Sequence, residues 1–314
     1  AVTIGKVALP EMKRFGYSDA LATGSIAAGG TLGFLIPPST GFVIYAILTE
    51  ESIGRLFMAG ILPGILMMGL FVLAIWLVTL RDPAAGPKGE RVELVQRLRL
   101  LARAAPLIAV IVISIGGIYL GVFTPVEASG IGAALVMLFA ALTRSMGMAA
   151  FRRAIMDTVR TSAMLYMIVI GANVLNPFLA LTGIPDALGR TLEALGFGSY
   201  GTLIVILLSY VVLGMFLDGL AMLVITIPIY YPVILALGFD PIWFGVVAVI
   251  VIEMGMITPP VGLNVFVVNS VAKDVPLRTI FGGVMPFLLA MIACLALIIV
   301  FPDIALLIPQ SMFD

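Results

Sequence analysis

Two double-proline segments interrupt long apolar stretches of this sequence, and each offers backbone groups that could bind an ion. The first is residues 36–40 (Ile-Pro-Pro-Ser-Thr), and the second is residues 258–262 (Thr-Pro-Pro-Val-Gly). Consecutive prolines remove two N–H donors and stop a helix, which leaves nearby carbonyl groups without their usual partners. Bare carbonyls suit Na⁺, whereas the N–H groups that begin the next half-helix suit an anion. We therefore predict an ion and solute site at the two breaks.

Side chains in the breaks add candidate ligands. Ser39 and Thr40 supply hydroxyl groups at the first break, and Thr258 supplies one at the second. Glycine permits close backbone approach, and the glycines concerned are Gly33, Gly255 and Gly262. The alternative is that each Pro-Pro pair only kinks a helix, but the recurrence of the pair at matching positions favours a functional role.

Three polar side chains elsewhere in apolar stretches are further candidates. Asp218, followed by Gly219, is an ionisable residue at predicted bilayer depth, where such residues are costly and are first considered functional. It would ligate a cation or carry a coupling proton, or else cap a half-helix. Glu253 is either an ion ligand or a hydrogen-bonded strut, and Asn264 either contacts solute or bonds a neighbouring helix.

Composition identifies the medium around these sites. The 314 residues are 62% hydrophobic and 11% charged, with a mean hydropathy of +1.22. Soluble domains have roughly 45–50% apolar and about 25% charged residues. The chain has no histidine and one cysteine, Cys294, so a disulfide framework is excluded. The fold class predicted is an all-α polytopic membrane protein.

Apolar length predicts how the chain crosses the bilayer. A crossing takes about 20 apolar residues, and five simple spans have that character: 56–80, 104–122, 126–143, 161–181 and 280–302. Residues 20–48 and 241–272 are broken helices. Residues 200–235 are too long for one span and are predicted to form a re-entrant hairpin that turns at Asp218-Gly219.

Charge predicts the orientation. Residues 81–103 form a loop with an amphipathic helix on the membrane surface, and residues 144–160 resemble it more weakly. Placing both in the cytoplasm puts every Lys and Arg there except Arg55 and Arg190, as the positive-inside rule requires.

The sequence also repeats itself with opposite predicted orientation. At an offset of 222, Pro37-Pro38 matches Pro259-Pro260, and Gly33 matches Gly255; at 223, Arg55 matches Arg278. We assign residues 1–80 to the end of a first inverted repeat and residues 104–303 to a second. Residues 1–13 would then be the second half of a cytoplasm-entering hairpin, and the native protein is expected to have a further N-terminal piece. Paired inverted repeats with broken helices are typical of secondary transporters.

Enzyme and channel functions fit less well. An intramembrane serine protease needs a Ser–His pair, and an aspartyl protease needs two embedded Asp residues, of which only Asp218 qualifies. A channel does not need inverted broken-helix repeats. We therefore predict no enzymatic activity.

Residues 33–39 (Gly-Phe-Leu-Ile-Pro-Pro-Ser), 56–64 (Leu-Phe-Met-Ala-Gly-Ile-Leu-Pro-Gly), 218–228 and 253–264 together resemble the large membrane subunit of TRAP (tripartite ATP-independent periplasmic) transporters, of the DctM type. The resemblance covers essentially the whole chain. It implies an ion-transporter-like fold with an elevator motion, in a bacterial or archaeal cytoplasmic membrane. The implied partners are a small four-helix membrane subunit, separate or fused, and a periplasmic substrate-binding protein.

The resemblance further implies Na⁺-coupled import of an organic acid. The alternative is a stand-alone Na⁺/carboxylate symporter that needs no binding protein. The Na⁺ ligands implied by motif position are Gly33, Ile36, Pro37, Ser39, Asp218, Gly255, Thr258, Pro259 and Gly262. The residues expected to contact solute are Ser39, Thr40, Asp218, Gly219, Thr258 and Asn264.

Overall fold

The computed structural model describes residues 2–87, 94–184, 187, 190, 191 and 196–312, and the regular structure in these residues is entirely helical. The helices are α1 (Val2–Arg14), α2 (Asp19–Leu35), α3 (Thr40–Thr49), α4 (Ile53–Arg81), α5 (Leu94–Tyr119), α6 (Pro125–Leu142), α7 (Met148–Thr182), α8 (Gly198–Gly214), α9 (Gly219–Ala236), α10 (Pro241–Ile257), α11 (Leu263–Val271), α12 (Leu277–Val300) and α13 (Asp303–Ser311). The all-α fold and both helix breaks are as the sequence predicts.

Helices α8 and α9 form the predicted hairpin. The Thr226 hydroxyl donates to the Tyr210 hydroxyl at 2.8 Å, and the Ser209 and Tyr230 hydroxyls lie 2.7 Å apart. The rings of Tyr210 and Tyr230 pack edge to face with centroids 5.3 Å apart. Because these contacts join residues on either side of the turn, α9 folds back along α8. Whether the pair re-enters the membrane from one side stays a prediction.

Residues that match in the predicted repeat share local structure. Gly16 and Gly238 both have a left-handed backbone, with φ of +77° and +82°. Two residues later Ser18 caps α2 by accepting from Leu21 N, and Asp240 caps α10 by accepting from Trp243 N. The same turn-and-cap signal thus begins both broken helices, although the inverted orientation of the repeats stays a prediction.

The chain divides into two compact units, and the first contains both broken helices. It comprises Ala1–Gly89 and Asn176–Ser311. Its centre is α10, which is buried along almost its whole length and packs against α2, α4, α8, α9 and α12. Helices α2 and α12 cross closely, because a Cβ at Gly24 or Gly283 would overlap the backbone of the other helix. Small residues at such crossings are typical of membrane helices.

The second unit comprises Glu90–Leu175 and Met312–Asp314. Thr124 and Glu127 form a capping box at the start of α6, which fixes where that helix begins. Helix α6 packs against α5, where the Ser114 hydroxyl donates to the Ala128 carbonyl at 3.4 Å. Much of the α6 surface is apolar and exposed within this unit, as with Leu142 at 75%.

Six helical stretches among the described residues are long and apolar enough to cross a membrane. They are Asp19–Thr49, Ile53–Arg81, Pro125–Leu142, Met148–Leu179, Gly219–Ala236 and Leu277–Val300. The apolar helices Ala105–Tyr119, Gly198–Gly214 and Pro241–Ile257 are shorter. This pattern agrees with the predicted multi-span membrane protein.

Two helix boundaries differ from those predicted. Helix α5 runs from Leu94 through Pro106 to Tyr119, and α7 begins at Met148. The polar surface segments and the spans that follow them are therefore continuous helices rather than separate ones. A change from polar to apolar side chains does not end a helix, because the backbone hydrogen bonds remain best satisfied by continuing it.

Candidate ion and solute site

The first break is closed by one buried hydroxyl group. Ser39, only 1% exposed, donates from Oγ to the Phe34 carbonyl at the end of α2 and accepts from Phe42 N at 3.3 Å in the first turn of α3. A serine hydroxyl has one donor and two acceptor sites. Ser39 therefore caps both half-helices and keeps one lone pair that can face a cation.

The second break is organised differently. Thr258 ends α10 and donates its hydroxyl back to the Met254 carbonyl at 2.6 Å. Gly262 precedes α11 with φ +60°, and α11 has no side-chain cap. The Gly262 N–H donates to the carbonyl of Met215, at 3.3 Å, and Met215 lies in the turn between α8 and α9. The hairpin turn is thus bonded directly to the second break.

Both breaks meet at the hairpin tip. Gly219 is buried, and a Cβ there would lie 3.2 Å from the Ile252 side chain, 3.3 Å from Met256 Sδ and 3.4 Å from the Phe34 ring. Phe34 is the next-to-last residue of α2, before the first break, and Met256 is the next-to-last residue of α10, before the second. The tip therefore lies between the two broken helices, which brings the three predicted parts of the site together.

Asp218 lies at this tip and caps α9. Its Oδ1 accepts from Leu220 N at 3.0 Å and from Ala221 N at 3.1 Å, and the residue is exposed. This is the capping role foreseen as the alternative for Asp218. A carboxylate has about four lone-pair sites, so capping through Oδ1 does not prevent Oδ2 from contacting a cation.

Glycine permits close packing behind the tip. A Cβ on Gly255 would lie 2.7 Å from Gly214 Cα, and a Cβ on Gly214 would lie 2.9 Å from Gly255 Cα. Real Cβ atoms do not approach that closely, so α8 and α10 touch backbone to backbone at these residues. Gly33 occupies the matching place in the first repeat, yet a Cβ there would meet no described atom within 4 Å.

Glu253 forms a strut across the second break. It is 4% exposed, and Asn264 Nδ2 donates to its Oε2 at 3.4 Å. This contact ties α10 to α11 on either side of the unwound segment. Among the described residues no cationic side chain pairs with Glu253.

The three half-helix starts near the tip differ in electrostatics. Helices α3 and α9 begin with capping side chains, Ser39 and Asp218. Helix α11 begins after Gly262 without a side-chain cap. The first N–H groups of a helix lack intrahelical partners and carry the positive end of its dipole. Of the three, the start of α11 is the best suited to an anion.

Comparison with known proteins identifies the kind of protein that carries this arrangement. Residues 1–304 match the model of the family described as "Tripartite ATP-independent periplasmic transporter, DctM component". The chain belongs to this family. Its fold and broken-helix motifs are therefore those of a TRAP large permease.

Named TRAP permeases are similar over nearly the whole chain. A C4-dicarboxylate TRAP transporter large permease, DctM, from Pseudomonas aeruginosa is 34% identical over 310 residues, which cover 98% of this chain and 71% of that protein. The sialic acid permease SiaM of Vibrio cholerae is 33% identical, with 98% and 71% covered. The ectoine permease TeaC of Halomonas elongata is 33% identical, with 99% and 73% covered. The names show that solutes differ among TRAP permeases of similar sequence.

The structure of this TRAP permease brings some predicted site residues together and leaves others apart. Gly219, Gly255 and Gly262 lie in the contacts between the hairpin and the second break, with Asp218 beside them. Ser39 and Pro37 are buried in the first break. Several others are exposed at their break rather than enclosed, and they are Gly33, Ile36, Thr40 and Pro259.

Sequence reasoning missed three residues of this site. Phe34 and Met256 both approach Gly219, and Met215 accepts from the Gly262 N–H. Phe34 and Met256 match each other in the repeat, at the same offset of 222 as the prolines. That match could have indicated that both residues belong to the site, but in the sequence they cannot be told from the other apolar residues of a membrane helix.

Proposed function

We propose that this TRAP permease imports an organic acid with Na⁺ as the coupling ion. One observation supports it above the others: a Cβ placed on Gly219 at the hairpin tip would lie within 3.4 Å of both Phe34 and Met256, which come just before the two breaks. A site formed where unwound segments meet is the arrangement that inverted-repeat carriers use to hold ions and solute.

The donor set around the first break fits a Na⁺ ion. Hard cations take oxygen ligands, and this region offers backbone carbonyls of residues 33–37 and the remaining lone pair of Ser39. The second group of oxygens comprises Asp218 and the carbonyls of residues 255–262, with Thr258 at the break. No cluster of three or more His, Cys, Asp or Glu side chains occurs in the described residues. The ligands would therefore be mainly carbonyl and hydroxyl oxygens, which suits a monovalent cation better than a transition metal.

The solute carboxylate would face the start of α11. That helix has no side-chain cap, so its first N–H groups and the Asn264 amide can donate to an anion. Thr40 at the first break and Gly219 at the tip complete the proposed solute contacts. Because the N–H groups of α3 are capped by Ser39, the anion is expected at the second break rather than at the first.

The compact unit that contains both breaks would move as one body in an elevator motion. The remaining proposals are location in a bacterial or archaeal inner membrane, a small membrane subunit as partner, and a periplasmic binding protein that delivers the solute. Each of these follows from family membership rather than from a contact of this chain.

Reconstitution tests the function. The permease and its small subunit are placed in proteoliposomes, a binding protein from the same organism is loaded with labelled organic acid outside, and uptake is measured with and without an inward Na⁺ gradient. We expect uptake only when both Na⁺ and the binding protein are present. Na⁺-driven uptake of free solute would instead indicate a stand-alone symporter, and uptake indifferent to Na⁺ would refute the coupling.

A further inference from the structure

An apolar groove lies between α4 and α12. Its volume is about 500 Å³, within the range of about 300–1,000 Å³ seen for ligand pockets. Its walls include Leu73 and Leu77 on one helix and Met285 and Leu289 on the other, and these four side chains are 44–63% exposed. The groove is therefore an open apolar channel between two candidate membrane spans.

The groove runs along antiparallel helices for about half of the membrane. The rings of Phe71 and Phe287 pack edge to face with centroids 5.4 Å apart, and Cys294 Sγ lies 3.9 Å from the Pro63 carbonyl. The lining on each helix covers eleven residue steps, from residue 70 to 81 and from 282 to 293. At 1.5 Å per residue that is roughly 16 Å, or about one leaflet of a hydrocarbon core about 30 Å thick.

Positive charge is confined to one end of the groove. Among the described residues that line the groove, Arg81, the last residue of α4, is the one that carries a charge. Arg278 is exposed one turn before Gly282 on α12, so it continues the same helical face beyond the groove. Among the described residues neither guanidinium forms an ion pair. Both arginines belong to the predicted cytoplasmic side.

The opposite end of the same helix pair is covered by protein. Helix α13 follows directly after α12 and packs against α4, with Ala305 and Leu306 buried. If the two repeats are inverted as predicted, α4 and α12 exchange places, and the end covered by α13 is the counterpart of the open groove. The groove end differs from it by Arg81 and Arg278, which form no ion pair with any residue that the structure describes.

We propose that the groove binds one anionic phospholipid of the cytoplasmic leaflet. An acyl chain lies along the α4–α12 channel, and Arg81 and Arg278 hold the phosphate of the headgroup. The length of the groove, its apolar walls and its single charged end all match the shape of a lipid. The cytoplasmic leaflet is the one rich in anionic lipid, and basic pockets beside membrane helices on that side favour it.

Lipid titration by native mass spectrometry tests the site. The complete chain is delipidated in detergent and titrated with dioleoyl phosphatidylglycerol or with dioleoyl phosphatidylcholine. We expect tighter binding of phosphatidylglycerol, and about fivefold weaker binding in Arg81→Gln and in Arg278→Gln. Arg55→Gln is the matched control. Arg55 is the repeat counterpart of Arg278, and it lies in the first turn of α4, at the end opposite Arg81 and on the predicted outer side of the membrane.

A second pair of variants tests the acyl channel. A Cβ on Gly282 would meet no described atom within 4 Å, so Gly282→Phe fills the groove without a backbone clash. Gly69 on α4 is equally open but does not line the groove, so Gly69→Phe is its control. We expect Gly282→Phe to abolish lipid binding and Gly69→Phe to leave it unchanged. Equal binding of both lipids, or binding unchanged in Gly282→Phe and Arg81→Gln, would show only annular lipid and overturn the proposal.

Discussion

The two helix breaks share a backbone design but differ in chemistry. Each follows a glycine two residues before the end of its first half-helix, and each contains a cis Pro-Pro bond. The second is one residue longer, and the extra residue places Gly262 where the first break has Ser39. The repeat therefore reproduces where a helix stops, while the residue before the next half-helix differs in whether it caps that helix. In the function proposed above, the uncapped second break is the one whose helix N–H groups receive the anionic solute.

The largest effect is expected from a single methyl group on Gly255. In Gly255→Ala the new Cβ would press on Gly214 Cα, and overpacking of this kind against backbone costs about 1–3 kcal/mol or more. We expect loss of the folded protein or a large drop in its thermal unfolding midpoint, measured in detergent by intrinsic fluorescence.

Gly33→Ala is the matched control for that change. The site is open, and Ala is favoured over Gly within a helix by up to about 1 kcal/mol, so the midpoint should stay or rise slightly. Equal loss in both variants would mean that the two glycines have equivalent surroundings and would break the comparison of the two repeats.

A smaller but clear loss is expected from Ser39→Ala. The change removes an N-cap worth about 1 kcal/mol and leaves the Phe34 carbonyl and the Phe42 N–H without this partner. The unfolding midpoint should fall, and Na⁺-dependent uptake should need more Na⁺. Ser39→Thr, which keeps the hydroxyl, should recover most of both; if it does not, the hydroxyl is not what closes the break.

Asp218→Asn separates charge from capping. Asn caps a helix about as well as Asp, so the fold should be unaffected. Removing a charge beside a bound cation should raise the Na⁺ concentration for half-maximal uptake by about tenfold. The measurement is uptake in proteoliposomes across a Na⁺ series, with the thermal midpoint as control. Unchanged Na⁺ dependence would leave Asp218 as a cap alone.

How well the sequence predicted this site depended on residue type. Proline, glycine and capping residues are informative because only a few backbone conformations accept them, and so the breaks at Pro37 and Pro259 and the turn at Asp218 could be located. The polar-to-apolar boundary at residue 104 misled, since a change of side-chain character does not interrupt the backbone, and α5 continues even through Pro106. Phe34 and Met256 went unnoticed because apolar residues fill every position of a membrane helix, and only three-dimensional contact shows which of them meet a binding site.

The smallest effect on stability is expected at two polar contacts, each of which joins a helix of one repeat to a loop of the other. At one end Lys13 in α1 bonds Asp274, after α11; at the other Tyr231 in α9 donates to Glu51, after α3, at 3.0 Å. Asp274 matches Glu51 in the repeat at an offset of 223. The hydrogen bond from Lys13 lowers the pKa of Asp274, and its bond to Asp274 raises the pKa of Lys13.

The sign of these shifts fixes the pH range of the Lys13–Asp274 contact. A lowered carboxyl pKa contributes stability above the ordinary value, about 4, and loses it as pH falls through the lowered pKa. A raised lysine pKa contributes below about 10 and loses it as pH rises further. From pH 5 to 9 the contribution of the Lys13–Asp274 contact to stability should therefore be constant.

Thermal unfolding of Asp274→Asn should show a small fall in the unfolding midpoint that shrinks at high salt, because both groups are near the surface. Tyr231→Phe removes a hydrogen bond that an uncharged hydroxyl donates to the part-buried Glu51. The resulting fall in the unfolding midpoint should therefore change little with salt. A loss in Asp274→Asn that does not change with salt would show that the Lys13–Asp274 contact behaves like the Tyr231–Glu51 hydrogen bond, and so would remove the expected difference between the two contacts.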